Sequence, residues 1–338
     1  MSDNKIETVE LGKGGPQVGV QGLGCMGMSE FYGDTDEAAA RETLEAALAA
    51  GVTLFDTADV YGVGANEKFI APFVGAHRDE IVLATKFAIE RREDDPHYRG
   101  INNDPAYIRQ AVENSLRRLD TDVIDLYYMH RRDPSVPLAE SVGAMAELVE
   151  QGKVKRLGLS EVTGAELREA HAEHPIAALQ SEWSLFSRDV EHSAVAAAVE
   201  LGVTLVPYSP LGRGFLTGAF ADAGKELAKN DFRQFQPRFN GDNAKANAAL
   251  LEPVHKIAAA HGATAAQVAL AWVHQRAQVH GLAVVPIPGT RKSGRLLENL
   301  GATRLTLSAE ELALLEPIAG QVAGDRYPDM SSTATVRE

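Results

Sequence analysis

Short runs rich in Val, Ile and Leu alternate along this chain with segments whose apolar positions recur at helical spacing. The runs fall at residues 18–23, 52–56, 81–86, 123–130, 154–160, 177–181, 204–208 and 283–287. Each has the length of a strand. The segments between them have another period. Residues 36–50 put Ala40, Leu44, Ala47 and Leu48 on one face, and residues 105–119 do the same with Ile108, Val112, Leu116 and Leu119. That stripe is how a helix covers a core. Eight strand–helix units predict an α/β fold, a closed (β/α)₈ TIM barrel, for which ~250 residues is typical.

At 338 residues the chain has length to spare, and three additions account for it. Two are helices. One, at 245–261, precedes the seventh barrel helix at 265–278. The other, at 308–319, opens on Ser308 as an N-cap with Glu310 and Glu311 in its first turn. The third addition is a long loop after strand seven, residues 213–243, holding Phe215, Phe220, Phe232, Phe235 and Phe239 of the chain's 11 phenylalanines. Such aromatic content favours a lid over a disordered linker. No Pro/Gly/Ser-rich linker divides the chain. Residues 1–338 therefore read as one barrel domain, with a tail at 321–338 lying over the barrel mouth or flexible.

Composition excludes several classes. An apolar share of 45% and a charged share of 24% are those of a globular protein. The opening Met-Ser-Asp-Asn-Lys carries no apolar leader, and no apolar run nears the ~20 residues that cross a bilayer. A cytosolic protein is expected. The single cysteine, Cys25, offers neither a disulfide framework nor a thiolate cluster and reads as a small buried apolar residue. With 33 basic against 47 acidic residues the net charge is -14, which repels a phosphate backbone, so nucleic acid is not an expected partner. The 10 histidines form no close His-x-x-x-His pair, so no metal site is assigned.

The stretch GLGCMG at 22–27 matches G-x-G-x-x-G, and Asp56 resembles the ribose-binding acid of a dinucleotide fold. That fold needs its helix to begin inside the motif. Here MSEFYGDT follows, which delays the helix to Thr35 or Asp36, and Asp56 comes later than the ~20 residues expected. The stretch reads instead as a glycine-rich loop at the barrel mouth.

In a (β/α)₈ enzyme the chemistry sits at the C-terminal ends of the strands. Those ends are Asp56, Lys86, His130, Ser160, Gln180 or Ser181, and Tyr208. In FDTADVYG, side-chain alternation sends Asp56 inward with Leu54 and turns Phe55 and Thr57 toward the helices. Asp59 lies beyond the strand, where a turn or cap is the expected role. A buried Asp56 needs a partner, and Lys86 on the next strand supplies one. Tyr61 folds back over that pair. Its phenol, ordinarily near ~10, is expected to be lowered by the adjacent ammonium and so to become a tunable proton donor. His130 is placed to orient a carbonyl oxygen. A proton delivered to a carbonyl oxygen needs a hydride at the carbon, which no side chain donates, so a nicotinamide cofactor is implied. After strand eight, Pro288-Gly289-Thr290-Arg291-Lys292 puts a flexible backbone, a hydroxyl and two cations at a helix N-terminus. With Arg295 they favour the 2′-phosphate of NADPH over NADH.

The stretches GLGCMGMS, FDTADVYG, LATKF, IDLYYMHR, GKVKRLGLS, QSEWSLFSRD, PYSPLGRGFLTG and VVPIPGTRKSGRLLENL resemble the aldo-keto reductases along essentially the whole chain. They look most like the bacterial and plant-type members with the YYMHR strand. The resemblance implies a (β/α)₈ barrel binding NADPH in extended form, with alcohol dehydrogenase or carbonyl reductase activity on a small-molecule carbonyl substrate. It also implies a tetrad of Asp56, Tyr61, Lys86 and His130, in which Tyr61 is the general acid, Lys86 and Asp56 tune it, and His130 orients the substrate. Cofactor positions follow from the same resemblance. Gly24 and Met26 border the site with Asp56; Ser160 and Gln180 hold the carboxamide; Trp183 packs on the nicotinamide face. Tyr208, Ser209, Pro210, Leu211, Gly212 and Gly214 line the pyrophosphate. Gly289, Thr290, Arg291, Arg295, Glu298 and Asn299 surround the 2′-phosphate and adenine. Glu161 departs from the asparagine of many members and is not assigned.

Two other readings stay open. One is a cofactor-binding regulatory or redox-sensing subunit with slow turnover. The other is an aldolase or isomerase with Lys86 forming a Schiff base, which leaves Tyr61, Gln180 and Trp183 without roles. Loops at 31–33, 89–103 and 213–243 and the tail near Tyr327 are expected to wall the substrate pocket, and their aromatic content suggests an apolar or aromatic carbonyl compound. Oligomeric state is not legible.

Overall fold

Seven parallel strands lie side by side in the computed structural model of the chain, which describes residues 5–92, 94–95, 98–220 and 227–337. They are Leu23–Gly24, Leu54–Asp56, Val82–Phe87, Ile124–Met129, Val154–Ser160, Ile176–Glu182 and Thr204–Tyr208, each paired with its successor. Helices cover the outside, among them Glu37–Ala49, Ala65–His77, Pro105–Leu119, Leu138–Glu150, Gly164–Glu173, Val195–Leu201, Ala265–His280 and Ser293–Leu300.

The first and eighth strands differ from expectation. Of residues 18–23 only Leu23 enters the barrel, as Leu23–Gly24; the preceding Gln17–Gly19 pairs antiparallel with Thr8–Glu10. Leu11 and Val18 of that hairpin are buried against Leu54 and Val206 and fill the barrel floor. Glycines at 19 and 22 break the run and let it change partners. Residues 283–287 and the turn after them form isolated parallel bridges, Leu205 to Val284 and Gly24 to Gly289, instead of a ladder. Val285 and Ile287 donate to the carbonyls of Leu205 and Pro207, and Gly22 donates to that of Pro286. Pro286 and Pro288 have no N–H to extend the pattern, yet the segment bonds on both sides and closes the barrel.

Alternation sorts the apolar residues into two layers. Leu54, Ala84, Leu126, Tyr128, Ala178, Val206 and Val285 pack inside the barrel, and Phe55, Leu83, Tyr127, Leu179 and Leu205 pack between strands and helices. Gly158 makes room for the inward ring of Tyr128, because a Cβ there would lie 2.5 Å from it.

Local chemistry sets the helix bounds. Asp36 caps Glu37–Ala49 by accepting from the Ala39 N–H at 3.1 Å, so the helix does start after the glycine-rich loop. Thr163 with Glu166, Thr264 with Gln267 and Ser308 with Glu311 form capping boxes. The helix expected at 245–261 is two helices, Gly241–Ala249 and Glu252–His261, because Pro253 starts the second and cannot continue the first. The C-terminal helix is only Ala309–Leu315: Glu316 keeps helical backbone (φ -54°, ψ -40°), and Pro317, with no N–H to donate, stops the hydrogen-bond ladder there. The seventh barrel helix runs past residue 278 to His280, where left-handed Gly281 (φ 65°) stops it.

The long loop after strand seven is built of short turns, Gly212–Thr217, Phe232–Phe235 and Pro237–Phe239. Its residues 221–226, and residues 93, 96 and 97 of the 89–103 segment, lie outside the described residues, as do residues 1–4 and 338. Phe215 and Phe220 pack on Phe239 at 5.2 and 5.9 Å. Phe232 docks edge-on against Phe31 and Tyr32 at 5.4 and 5.3 Å, and Asp231 bridges Tyr32. Phe235, by contrast, is 72% exposed. The loop thus spans from strand seven to the loop after strand one. Among the described residues no helix is long and apolar enough to cross a membrane, and no group of three His, Cys, Asp or Glu is placed to hold a metal.

Candidate active site

Barrel closure gathers the polar strand ends around one mouth. Lys86 is fully buried and Asp56 nearly so, and a buried charge needs compensation. The Lys86 ammonium is enclosed by Asp56 Oδ1, the Thr57 carbonyl at 2.7 Å and the Tyr61 hydroxyl at 3.4 Å. The other Asp56 oxygen accepts from Gln180 Nε2 at 2.9 Å, a bond that reaches from the sixth strand. Burial alone would lower the Lys86 pKa, but Asp56 and Tyr61 reverse that and hold the ammonium above its ordinary value. Asp56 thereby maintains a permanent cation beside Tyr61. Phe55 and Thr57 face outward as expected: Phe55 packs on Phe73 at 4.8 Å and the Thr57 hydroxyl donates to Asn66 at 2.6 Å.

Tyr61 stands edge-on to His130, with ring centroids 5.9 Å apart and planes at 86°. His130 Nδ1 is buried and has no hydrogen-bond partner among the described residues. Burial, reinforced by Arg131 and Lys86, pushes the His130 pKa well below its ordinary value, so the imidazole is neutral and carries one N–H for donation. The expected lowering of Tyr61 is not found. Burial raises the phenol above 10 and Lys86 opposes it only in part. The hydroxyl therefore keeps its proton at neutral pH, with a cation waiting for the phenolate.

Asp59 lies in the turn after the second strand, as its position suggested, and is half-buried there. Its Oδ1 is buried with no hydrogen-bond partner among the described residues, and burial together with neighbouring Glu67 drives the carboxyl well above the usual range. Glu67 itself is paired with Arg118 at 2.6 Å.

Trp183 does not stand at the barrel mouth, where the resemblance places it. Trp183 is fully buried outside the barrel: its ring meets Trp272 of the helix layer at 6.0 Å and its N–H donates to Glu191 at 2.9 Å. Alternation along Ile176–Glu182 aims Gln180 inward, and Trp183, three residues on, falls outside. The aromatic ring at the mouth is that of Tyr208, half-buried at the end of strand seven, 5.9 Å from the Arg131 guanidinium. Buried Ser160 accepts from Arg131 at 3.2 Å. Beyond Tyr208, Ser209, Gly212, Arg213 and Gly214 all have left-handed backbone (φ 48°, 54°, 59° and 91°), which folds the segment around Pro210 and Leu211 into tight turns.

Around the basic turn, Gly289, Lys292 and Arg295 are exposed, Thr290 and Glu298 are half-buried, and Asn299 is buried. Arg291 is not a free cation. Its guanidinium donates to the carbonyls of Gly27, Tyr32 and Gly33 and to the Thr35 hydroxyl, at 2.8 to 3.2 Å. It staples the loop that follows half-buried Gly24 and carries half-buried Met26, and Gly24 approaches Gly289 closely enough that a Cβ on Gly289 would lie 3.2 Å from the Gly24 oxygen.

Sequence reasoning missed Glu161. Its backbone is left-handed (φ 52°) and its side chain is 2% exposed. One oxygen accepts from Tyr208 Oη at 2.8 Å, and both are paired with Arg326 of the C-terminal tail at 2.9 and 3.1 Å. Burial would raise this carboxyl, yet Arg326 holds it at about 2. Tyr208 Oη also meets Tyr327 Oη at 3.1 Å, and Arg337 donates to the Glu161 carbonyl. The tail is thus fastened across the mouth. The departure from asparagine was the only trace of this arrangement in the sequence.

A sequence profile described as the Aldo/keto reductase family matches residues 22–319. The chain is 44% identical over 331 residues to "Probable aldo-keto reductase 1" of Glycine max, covering 97% of this chain and 93% of that protein. Among solved structures, glycerol dehydrogenase of Gluconobacter oxydans superposes with a TM-score of 0.80 at 26% identity, over 97% of this chain and 99% of the other. An aldo/keto reductase of Klebsiella pneumoniae, in complex with NADP and acetate, superposes with a TM-score of 0.70 at 26% identity, over 95% and 99%.

Proposed function

The chain belongs to the aldo/keto reductase family, and on that premise we propose that it reduces an aldehyde or ketone to the alcohol, with NADPH as cofactor and Tyr61 as proton donor. The observation that carries this reading is the Tyr61 hydroxyl 3.4 Å from a buried Lys86 ammonium, itself held by Asp56, with neutral His130 beside it. Bound NADPH supplies the hydride to the carbonyl carbon. The remaining work falls to side chains. The His130 imidazole donates to the carbonyl oxygen and fixes its direction. The Tyr61 O–H transfers its proton to that oxygen, and Lys86 stabilises the phenolate left behind. Asp56 keeps Lys86 charged through the cycle.

The residues present fit the cofactor. Ser160 and Gln180 stand ready for the carboxamide and the Tyr208 ring for the nicotinamide face. The left-handed turns at 209–214 bring backbone close enough for a pyrophosphate, and exposed Arg295 and Lys292 beside Thr290 suit a 2′-phosphate. The NADP complex of the Klebsiella relative agrees with this choice. A Lys86 Schiff base is disfavoured, because an attacking lysine must be neutral and this ammonium is stabilised.

The test is NADPH consumption across a panel of aldehydes and ketones. Tyr61→Phe is expected to lower kcat by roughly 10²–10⁴-fold, the range for losing a positioned proton donor, while still binding NADPH. Since the phenol is raised, the reduction rate should be flat through neutral pH and fall only above the ordinary tyrosine range. Unchanged turnover in Tyr61→Phe would remove the mechanism.

A further inference from the structure

Tyr61 sits on a loop, residues 57–64, and a loop does not by itself hold a hydroxyl to the tolerance proton transfer requires. Turn bonds within the loop, from the Tyr61 N–H to the Ala58 carbonyl at 3.3 Å and from the Asn66 N–H to the Tyr61 carbonyl at 3.2 Å, shape its backbone, and two residues that no strand end contributes tie it to the loops around it. Glu30, on the loop after the first barrel strand, accepts the Gly62 N–H at 2.7 Å through Oε2. Arg91, on the loop after the third, places Nη1 2.7 Å from both Glu30 oxygens and 3.3 Å from the Val60 carbonyl. The Val60 carbonyl belongs to the peptide bond entering Tyr61, and the Gly62 N–H to the peptide bond leaving it. One ion pair therefore holds both peptide groups that flank the phenol.

We propose that Glu30 and Arg91 are positioning residues for the Tyr61 hydroxyl, an inference that rests on the reading of Tyr61 as proton donor. The pair is partly exposed, with Arg91 13% and Glu30 24% accessible, and such pairs add little to stability. Its geometry has a different consequence. With Lys86 fixed by Asp56 and the Thr57 carbonyl, the Tyr61–Lys86 distance depends on where the loop backbone stands, and the pair pins that backbone from both directions. The polarity is specific as well: a carboxylate meets an N–H and a guanidinium meets a carbonyl, so exchanging the two residues would restore an ion pair while setting each against the wrong backbone group.

That asymmetry supplies the test. Glu30→Ala, Arg91→Lys and the exchanged pair Glu30→Arg with Arg91→Glu would be assayed for kcat, NADPH dissociation constant, melting temperature and amide exchange at Gly62. Glu30→Ala should lower kcat by about 10–100-fold, the effect of displacing a reacting group by about 1 Å. NADPH affinity should stay within about threefold, and Gly62 should exchange at least about tenfold faster, as expected for local opening. Arg91→Lys, which keeps a donor, should hold kcat within a few fold of wild type, and the exchanged pair should stay as slow as Glu30→Ala. Recovery of kcat in the exchanged pair would overturn the proposal. So would a Glu30→Ala enzyme within twofold of wild type, or a parallel fall of kcat, NADPH affinity and melting temperature. Wild-type protein inert toward every carbonyl would overturn the functional reading instead, and Gly62 exchange would still report whether the clamp exists.

Discussion

Acid should release the C-terminal tail, and Glu161 sets the size of the effect. The Glu161 carboxyl is held at about 2 against an ordinary 4.5, chiefly by Arg326 acting against burial. At about 1.4 kcal/mol per tenfold change in proton affinity, this corresponds to roughly 3 kcal/mol of stability at neutral pH. With a side chain only 2% exposed, solvent screening does not discount it. Because the folded carboxyl is the stronger acid, the contribution is complete above about pH 4.5 and is lost as pH falls toward 2, with less than about half remaining at pH 3. Average unfolding entropy scaled to this length is roughly 0.7 kcal/mol/K, so Glu161→Gln should melt about 4–5 °C below wild type at pH 7. The gap should narrow steadily between pH 4.5 and pH 3 in thermal scans of the cofactor-free protein. Glu191, also held at about 2 but by Arg188 and Arg276, titrates in both proteins and cancels. A gap that is the same at pH 7 and pH 3 would refute the electrostatic argument and assign the loss to packing.

Two further outcomes follow from the site. Asp59→Asn should raise the melting temperature at neutral pH, because the wild-type carboxyl is driven up by burial and Glu67, and stability is lost as pH rises above the ordinary carboxylate range; a lower melting temperature at pH 8 would count against it. Arg295→Glu should weaken NADPH by about tenfold or more while leaving NADH affinity nearly unchanged, since an exposed cation at the proposed 2′-phosphate site is replaced by an anion; equal losses for both cofactors, measured by calorimetric titration, would move the 2′-phosphate elsewhere.

The legible parts of this molecule are those that short-range rules decide. Period-two alternation along Leu54–Asp56 and barrel closure were enough to bring Asp56 to Lys86, and the helix delayed to Asp36 separated GLGCMG from a dinucleotide motif. What escaped depends on partners remote in sequence or on backbone states that a residue name does not reveal. Glu161 meets Arg326 across 165 positions from a left-handed conformation. The eighth strand carries the right apolar residues, but two prolines deny it a ladder. Arg291 looks like a phosphate ligand by type, and only the fold shows its guanidinium already donating to three carbonyls. Tyr61 was placed correctly beside Lys86, yet the direction of its pKa shift turned on burial, which a neighbour's charge does not report.

Trp183 and Tyr208 separate resemblance from geometry most sharply. By motif Trp183 faces the nicotinamide; in the fold its ring packs on Trp272 and its N–H is committed to Glu191, which also binds Arg188 and Arg276. Trp183→Phe therefore removes a donor from a buried acceptor network and should cost about 1–3 kcal/mol of stability, with no change in NADPH affinity. Tyr208→Leu removes the ring at the mouth together with the hydroxyl that joins Glu161 to Tyr327. An aromatic contact worth about 0.5–1.5 kcal/mol should weaken NADPH by about two- to tenfold. Calorimetric titration of both variants decides between them: an affinity loss in Trp183→Phe as large as in Tyr208→Leu would mean that the outward ring reaches the cofactor after all, which the packing against Trp272 forbids unless the helix layer moves.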